Sequence, residues 1–141
     1  MIKQQLFTSK GLWSAGAVLL RVIAGITIFR FGLEIFKDDA MKGYADWLTD
    51  LNFPASAAMA YIGKICELAG GALLALGLFT RVAAVALIVT MFVIAVIMSK
   101  AGPLDADGSF LLMLIFLHFL LTGPGKWSLD HLLFRSNNNI E

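Results

Sequence analysis

Charge is scarce in this sequence. Asp, Glu, Lys and Arg make up 15% of its 141 residues and hydrophobic residues 59%, against about 25% and roughly 45–50% in an ordinary soluble domain. A soluble domain of this size has too much surface to be covered by so few charges, so the apolar excess must face lipid. A net charge of +1 supplies none of the basic face that nucleic acid requires. Cysteine occurs once, at Cys66, which excludes an internal disulfide and a C-x-x-C redox pair; a small apolar filler is the expected role. The two histidines, His118 and His131, form no zinc-ligand spacing with it, and no metal site is expected.

What is present is apolar sequence in long runs. The length allows one domain, and crossing the hydrocarbon takes about 20 residues of helix. Four runs supply spans, at residues 12–36, 55–78, 80–98 and 109–122, the last of them short. The first run is too long for the roughly 7–15-residue core of a signal peptide and contains Arg21, so it reads as an uncleaved helix. Strands are excluded because lipid tolerates no open sheet edge. The expected fold is all-α: an integral membrane four-helix bundle forming a single domain over residues 1–141.

Two polar stretches interrupt this pattern. In residues 37–54, Tyr44, Trp47, Leu48 and Leu51 make an apolar stripe at helical period. The stripe predicts a helix over 42–52 lying in the headgroup layer, the alternative being an ordinary packed loop. After Gly123-Pro124-Gly125, residues 127–134 suggest a second surface helix, and the tail 136–141 reads as disordered. The short loops place Lys3, Lys10, Arg81, Lys126 and Arg135 on one side and Lys37, Lys42 and Lys100 on the other. The basic excess predicts cytoplasmic termini.

Helices in lipid associate by close backbone approach. Ser56, Gly63, Gly70 and Gly77 recur every seven residues with Ala60, Glu67 and Leu74 between them, while Gly11, Gly25 and Gly32 share a seven-residue register with Arg21 one turn before Gly25. These two seams are expected to meet.

Six ionisable groups fall inside the spans: Arg21, Arg30, Glu34, Lys64, Glu67 and His118. A lone charge at the bilayer centre costs at least about 2.5–3.5 kcal/mol, so such groups pair or face a cavity. Counted from the inner helix ends, Arg21 lies roughly 13–14 Å deep and Glu67 roughly 16–17 Å, which predicts an Arg21–Glu67 pair. Lys64 precedes Glu67 by three residues and Arg30 precedes Glu34 by four, so each pair shares a helix face. The Arg30–Glu34 pair is expected at the interface. Arg21, Lys64, Glu67 and His118 are candidates for a ligand or proton site, with polar adhesion between helices as the plainer alternative. His118 has no second axial ligand at matching depth for haem and is expected to be buried, neutral and hydrogen-bonded.

The stretch from Glu67-Leu68-Ala69-Gly70-Gly71 to Gly77-Leu78-Phe79-Thr80-Arg81 resembles the central signature of the DoxX family of small bacterial membrane proteins. Leu20-Arg21 with Phe31-Gly32-Leu33-Glu34 resembles the family's first helix, and Gly123-Pro124-Gly125-Lys126-Trp127-Ser128-Leu129-Asp130 its C-terminal turn. Many members carry a polar residue, often His, where this chain has Phe31. The resemblance implies a four-helix protein of the bacterial inner membrane with links to quinone-linked oxidation and respiratory complexes, and it brings no agreed catalytic residues.

Two functional classes follow. In the first, the protein is a redox- or quinone-associated accessory subunit in which Arg21, Lys64 and Glu67 line a quinone head-group pocket. In the second, it is a non-enzymatic scaffold or assembly subunit whose charges specify helix pairing. The expected partners are the lipid bilayer together with protein subunits or further copies of the chain. A transporter is a weaker reading for so few helices, and the single cysteine disfavours a self-sufficient thiol oxidoreductase.

Overall fold

Backbone N–H and C=O groups in lipid must be satisfied within the chain, and every regular element among the described residues is helical. The computed structural model describes residues 10–99, 108–123, 125 and 128–135. Helix α1 covers Lys10–Gly32 and tightens into a 3-10 turn, Leu33–Phe36. Helix α2 is Asp38–Asp50 and α3 is Ser56–Leu76. Helix α4, Thr80–Phe92, continues as a π-helical turn, Val93–Met98, and α5 (Ser109–Thr122) and α6 (Leu129–Arg135) follow. The segments Ala15–Phe36, Ser56–Leu76 and Thr80–Met98 are long and apolar enough to cross a membrane, and α5 is a shorter apolar helix. With 14 residues, α5 is about 21 Å long, short of a hydrocarbon core of about 30 Å. The readings placed on Lys3, Lys100, Lys126, Trp127 and the tail 136–141 lie outside the described residues.

Small residues set how the spans meet. A Cβ on Gly25 would stand 2.6 Å from the Ala75 nitrogen, one on Gly71 2.6 Å from the Phe29 nitrogen, and one on Gly32 would collide with the Leu68 backbone. Residues 25, 29 and 32 of α1 therefore lie level with residues 75, 71 and 68 of α3. The expected meeting of the two glycine seams is corrected by these contacts. The α1 glycines face the Leu68, Gly71 and Ala75 stripe, whereas Gly70 turns toward Leu87 of α4 and nothing lies within 4 Å of a Cβ on Gly63. The core between α1, α3, α4 and α5 is closed by Ala24, Ile28, Leu74, Leu87, Met91, Phe116 and Phe119.

The outer faces stay apolar. Leu19, Ile23 and Ile26 of α1, Ile62 and Ile65 of α3, Val82 and Val89 of α4, and Leu111 and Leu121 of α5 are all exposed. A set of side chains this large is expected to face acyl chains.

Helix α2 does not lie with its whole stripe in the headgroup layer. Met41 and Leu48 are buried against Ala60 and Met98, with Tyr44, Leu51 and Phe53 packed on the same cluster, while Trp47 points outward. The stripe faces protein because α3 outruns α1. By the register above, the end of α1 at Phe36 is level with Lys64, so the first turns of α3 would be uncovered if α2 did not fold down on them.

Candidate functional site

That uncovered step is where the charges collect. Lys64 and Glu67 share the face of α3 that looks toward the junction of α1 and α2. The Lys64 ammonium lies 2.9 Å from Glu67 Oε2 and 3.0 Å from Glu34 Oε2. It donates a third hydrogen bond, 3.3 Å long, to the Phe31 carbonyl, and it sits 4.2 Å from the centre of the Tyr44 ring. The Tyr44 hydroxyl donates to Glu34 Oε2 at 2.6 Å. The Lys64 and Glu67 side chains are 8% and 3% exposed and that of Glu34 is 25% exposed, so the cluster opens toward solvent or headgroups at Glu34 and at the half-buried Tyr44. Burial, and after it the hydrogen bond to Glu34, raises the Tyr44 phenol above its ordinary range, which keeps it neutral and a donor.

Three sequence expectations change here. The Arg30–Glu34 pair is not made among the described residues: Glu34 joins Lys64 and Arg30 is exposed. The 3-10 turn explains this. Three residues per turn advance the chain about 120° per residue instead of about 100°, which swings Glu34 off the Arg30 face and toward α3.

The Arg21–Glu67 pair is not made either. The carbon of the Arg21 guanidinium lies 2.9 Å from where a Cβ of Gly77 would stand, and Gly77 is ten residues, roughly 15 Å of helix, from Glu67. Residues at equal depth from the helix ends are level only where those ends coincide. The glycine contacts instead shift the register, so that Glu67 is level with the last turn of α1.

His118 is exposed, with its ring edge-on to Phe119 at 5.5 Å between centroids. It is on α5 near Thr122, and the following Gly123 lies beside Arg81. This is the opposite end of the bundle from Lys64. Neither the expected buried state nor membership of the site holds for His118. Cys66, half-buried beside Glu67 in the chain, makes no hydrogen bond to the cluster among the described residues and adds nothing to its chemistry.

Arg21 belongs to a second polar centre. Helix α3 ends in a left-handed Gly77 (φ 71°), where Leu78 N–H donates to Leu73 O and Gly77 N–H to Leu74 O, the paired closure favoured at helix C-termini. Asp130 of α6 then accepts from the backbone N–H of Phe79 at 2.9 Å and of Thr80 at 3.2 Å, and its own N–H donates to Gly77 O. It thereby caps the start of α4 from another element. Arg21, 3% exposed, lies against this turn with Asp130 as its electrostatic counterpart.

Sequence reading missed the contributions of Tyr44 and Asp130. Tyr44 was visible as part of an apolar stripe but not as a donor. Asp130 stood in the C-terminal motif with no partner in view, because a cap reaching back about 50 residues leaves no local spacing to read.

Lipid-facing apolar surfaces around a buried cluster of opposite charges define a helical integral membrane protein. The chain belongs to the DoxX family, whose sequence model matches residues 16–100. It is 33% identical over 126 residues to "Putative oxidoreductase CatD" of Bacillus subtilis (strain 168), covering 88% of this chain and 91% of that one. It is 32% identical over 134 residues to "Uncharacterized membrane protein Rv3486" of Mycobacterium tuberculosis (strain ATCC 25618 / H37Rv), covering 82% of this chain and 80% of that one. No solved structure matches it.

Proposed function

We propose that this protein is a redox-associated accessory subunit of the bacterial inner membrane, and that the Glu34–Lys64–Glu67–Tyr44 cluster is its polar contact for a quinone-class head group. The observation that carries this reading is a lysine held between two carboxylates inside an apolar bundle at 3.0 and 2.9 Å. An arrangement so costly to desolvate points to a functional site by default when it lies within a membrane span. A relative carries the name "Putative oxidoreductase CatD", which supports the same class.

The residues suit a ligand that exchanges protons. Two carboxylates and a phenol converge where α1 ends, and Glu34 forms the accessible rim. Such a carrier, when bound, would supply the electron chemistry. The chain's own part is to orient the head group and to hold or pass a proton at Glu67 and Glu34. Arg21, being at the other end of the bundle, takes no part in this site.

A second reading is a scaffold or assembly subunit. It is favoured by the fact that the cluster also fastens α1 and α2 to α3 through Phe31, Glu34 and Tyr44. One experiment separates the two. Protein purified in mild detergent is extracted with organic solvent and searched for quinone, for the wild type and for Glu67→Gln. Quinone co-purifying with the wild type and lost from a folded Glu67→Gln protein is the expected result. Quinone-free wild-type protein that copurifies with one constant partner would establish the scaffold instead.

A further inference from the structure

The hydrogen bonds of the cluster are unevenly spent. An ammonium has three donors and no acceptor, and a tyrosine hydroxyl has one donor. Lys64 directs its donors at Phe31 O, Glu34 Oε2 and Glu67 Oε2, and Tyr44 directs its own at Glu34 Oε2. Every side-chain donor of the cluster is therefore engaged. The acceptors are not: among the described residues all of these bonds fall on Oε2 of each carboxylate, and none reaches Oε1 of Glu34 or Glu67. The charges lean the same way, since within the four side chains one ammonium faces two carboxylates, with Lys37 the next cation toward Glu34. A carbonyl-bearing ligand would need a donor that the cluster has already committed, whereas a hydroxyl-bearing ligand finds acceptors waiting. A ligand carbonyl set against these acceptors would find no donor and would lose a hydrogen bond that water had given it, which gives the cluster a preference between the two forms of one carrier.

We propose that the site takes the head group in its reduced, hydroxyl-bearing form, with Oε1 of Glu67 accepting the ligand's O–H and Oε1 of Glu34 available as the second acceptor. This inference rests on the assignment of the cluster as the ligand site. It concerns binding only, and no bond is made or broken in it. The neighbouring Lys64 and Tyr44 hold the two carboxylates in place through Oε2 and leave the other oxygen of each for the ligand.

The test uses full-length protein in lipid nanodiscs under anaerobic conditions. Equilibrium binding of a short-chain alkyl hydroquinone is compared with that of the matching benzoquinone. One charge-assisted hydrogen bond gained by one form and denied to the other corresponds to a preference of about tenfold or more, so the hydroquinone is expected to bind at least that much more tightly. Glu67→Gln removes one acceptor oxygen at nearly unchanged shape and should erase the preference by weakening hydroquinone binding. Glu34→Gln, at the more exposed rim, serves if the Glu67 variant does not fold and should weaken the preference. Equal affinity for the two forms, or tighter binding of the quinone, overturns the inference while leaving the site assignment in place if the variants still alter binding. Binding of neither form overturns the site assignment itself.

Discussion

Lys64 is the residue on which the polar centre turns, because it alone separates Glu34 from Glu67. Removing one partner of a buried ion pair leaves an uncompensated charge and costs about 3–5 kcal/mol. Lys64→Met is therefore expected to lower the thermal midpoint in detergent sharply. Adding Glu34→Gln and Glu67→Gln to it should restore most of the loss, because the charges that remained unpaired are then gone. Tyr44 offers a residue-scale test with a defined sign. Its phenol is raised by burial and by the bond to Glu34, so the folded state favours the neutral form. The stabilisation is complete below the ordinary tyrosine value of about 10 and is lost as pH rises through the higher folded value. Thermal midpoints measured from about pH 8 to 11 should fall at the alkaline end for the wild type, and less steeply for Tyr44→Phe. A wild type and variant that decline in parallel would show that Tyr44 does not titrate with folding.

The elements meet at glycines, and not all of the glycines are equal. Gly71 has the Phe29 nitrogen and the Gly25 carbonyl where its Cβ would be, at 2.6 and 2.9 Å, and both are backbone atoms that cannot swing aside. Gly71→Val should separate α1 from α3 and cost about 1–3 kcal/mol or more. Gly63 has nothing within 4 Å, and its replacement by Ala should be neutral or stabilise by up to about 1 kcal/mol through helix propensity. Measured together by thermal unfolding in detergent, Gly71→Val should lower the midpoint while Gly63→Ala leaves it unchanged or raises it; equal losses would show that the register is wrong. At the other end, α6 is held through Asp130, which serves the first N–H groups of α4. Asp130→Ala should cost about 0.5–2 kcal/mol, the range for a lost helix cap. It should also expose the segment after Gly123 to limited proteolysis, with α1 to α5 remaining intact.

At the scale of the molecule, the two polar centres sit at opposite ends of the bundle. Glu34, Lys64, Glu67 and Tyr44 gather under α2, and Arg21 and Asp130 gather at the α3–α4 turn. The basic residues of the short loops lead to the expectation that the Arg81 end lies in the cytoplasm and α2 outside. In a Cys66→Ser background, Lys42→Cys, exposed on α2, should react with a membrane-impermeant maleimide added to intact cells. Arg81→Cys, exposed at the other end, should react only after the membrane is opened. The reverse pattern would invert the orientation and place the proposed ligand site on the cytoplasmic side.

The apolar runs by themselves determined that the chain is helical and embedded in lipid, because backbone groups in hydrocarbon must pair within the same segment. The same reading found the starts of α4 and α5 and the ionisable residues worth attention, and Glu67-Leu68-Ala69-Gly70-Gly71 and its companions carried the family. Which charges meet was beyond it. A 15 Å shift between antiparallel helices is invisible to periodicity, since every residue keeps its face while its level changes. Only contacts such as Gly25 on Ala75 and Gly71 on Phe29 fix that level. Once they do, Glu34 arrives beside Lys64 and Glu67, the 3-10 turn aims it there, and Arg21 is carried away to the far end with Asp130.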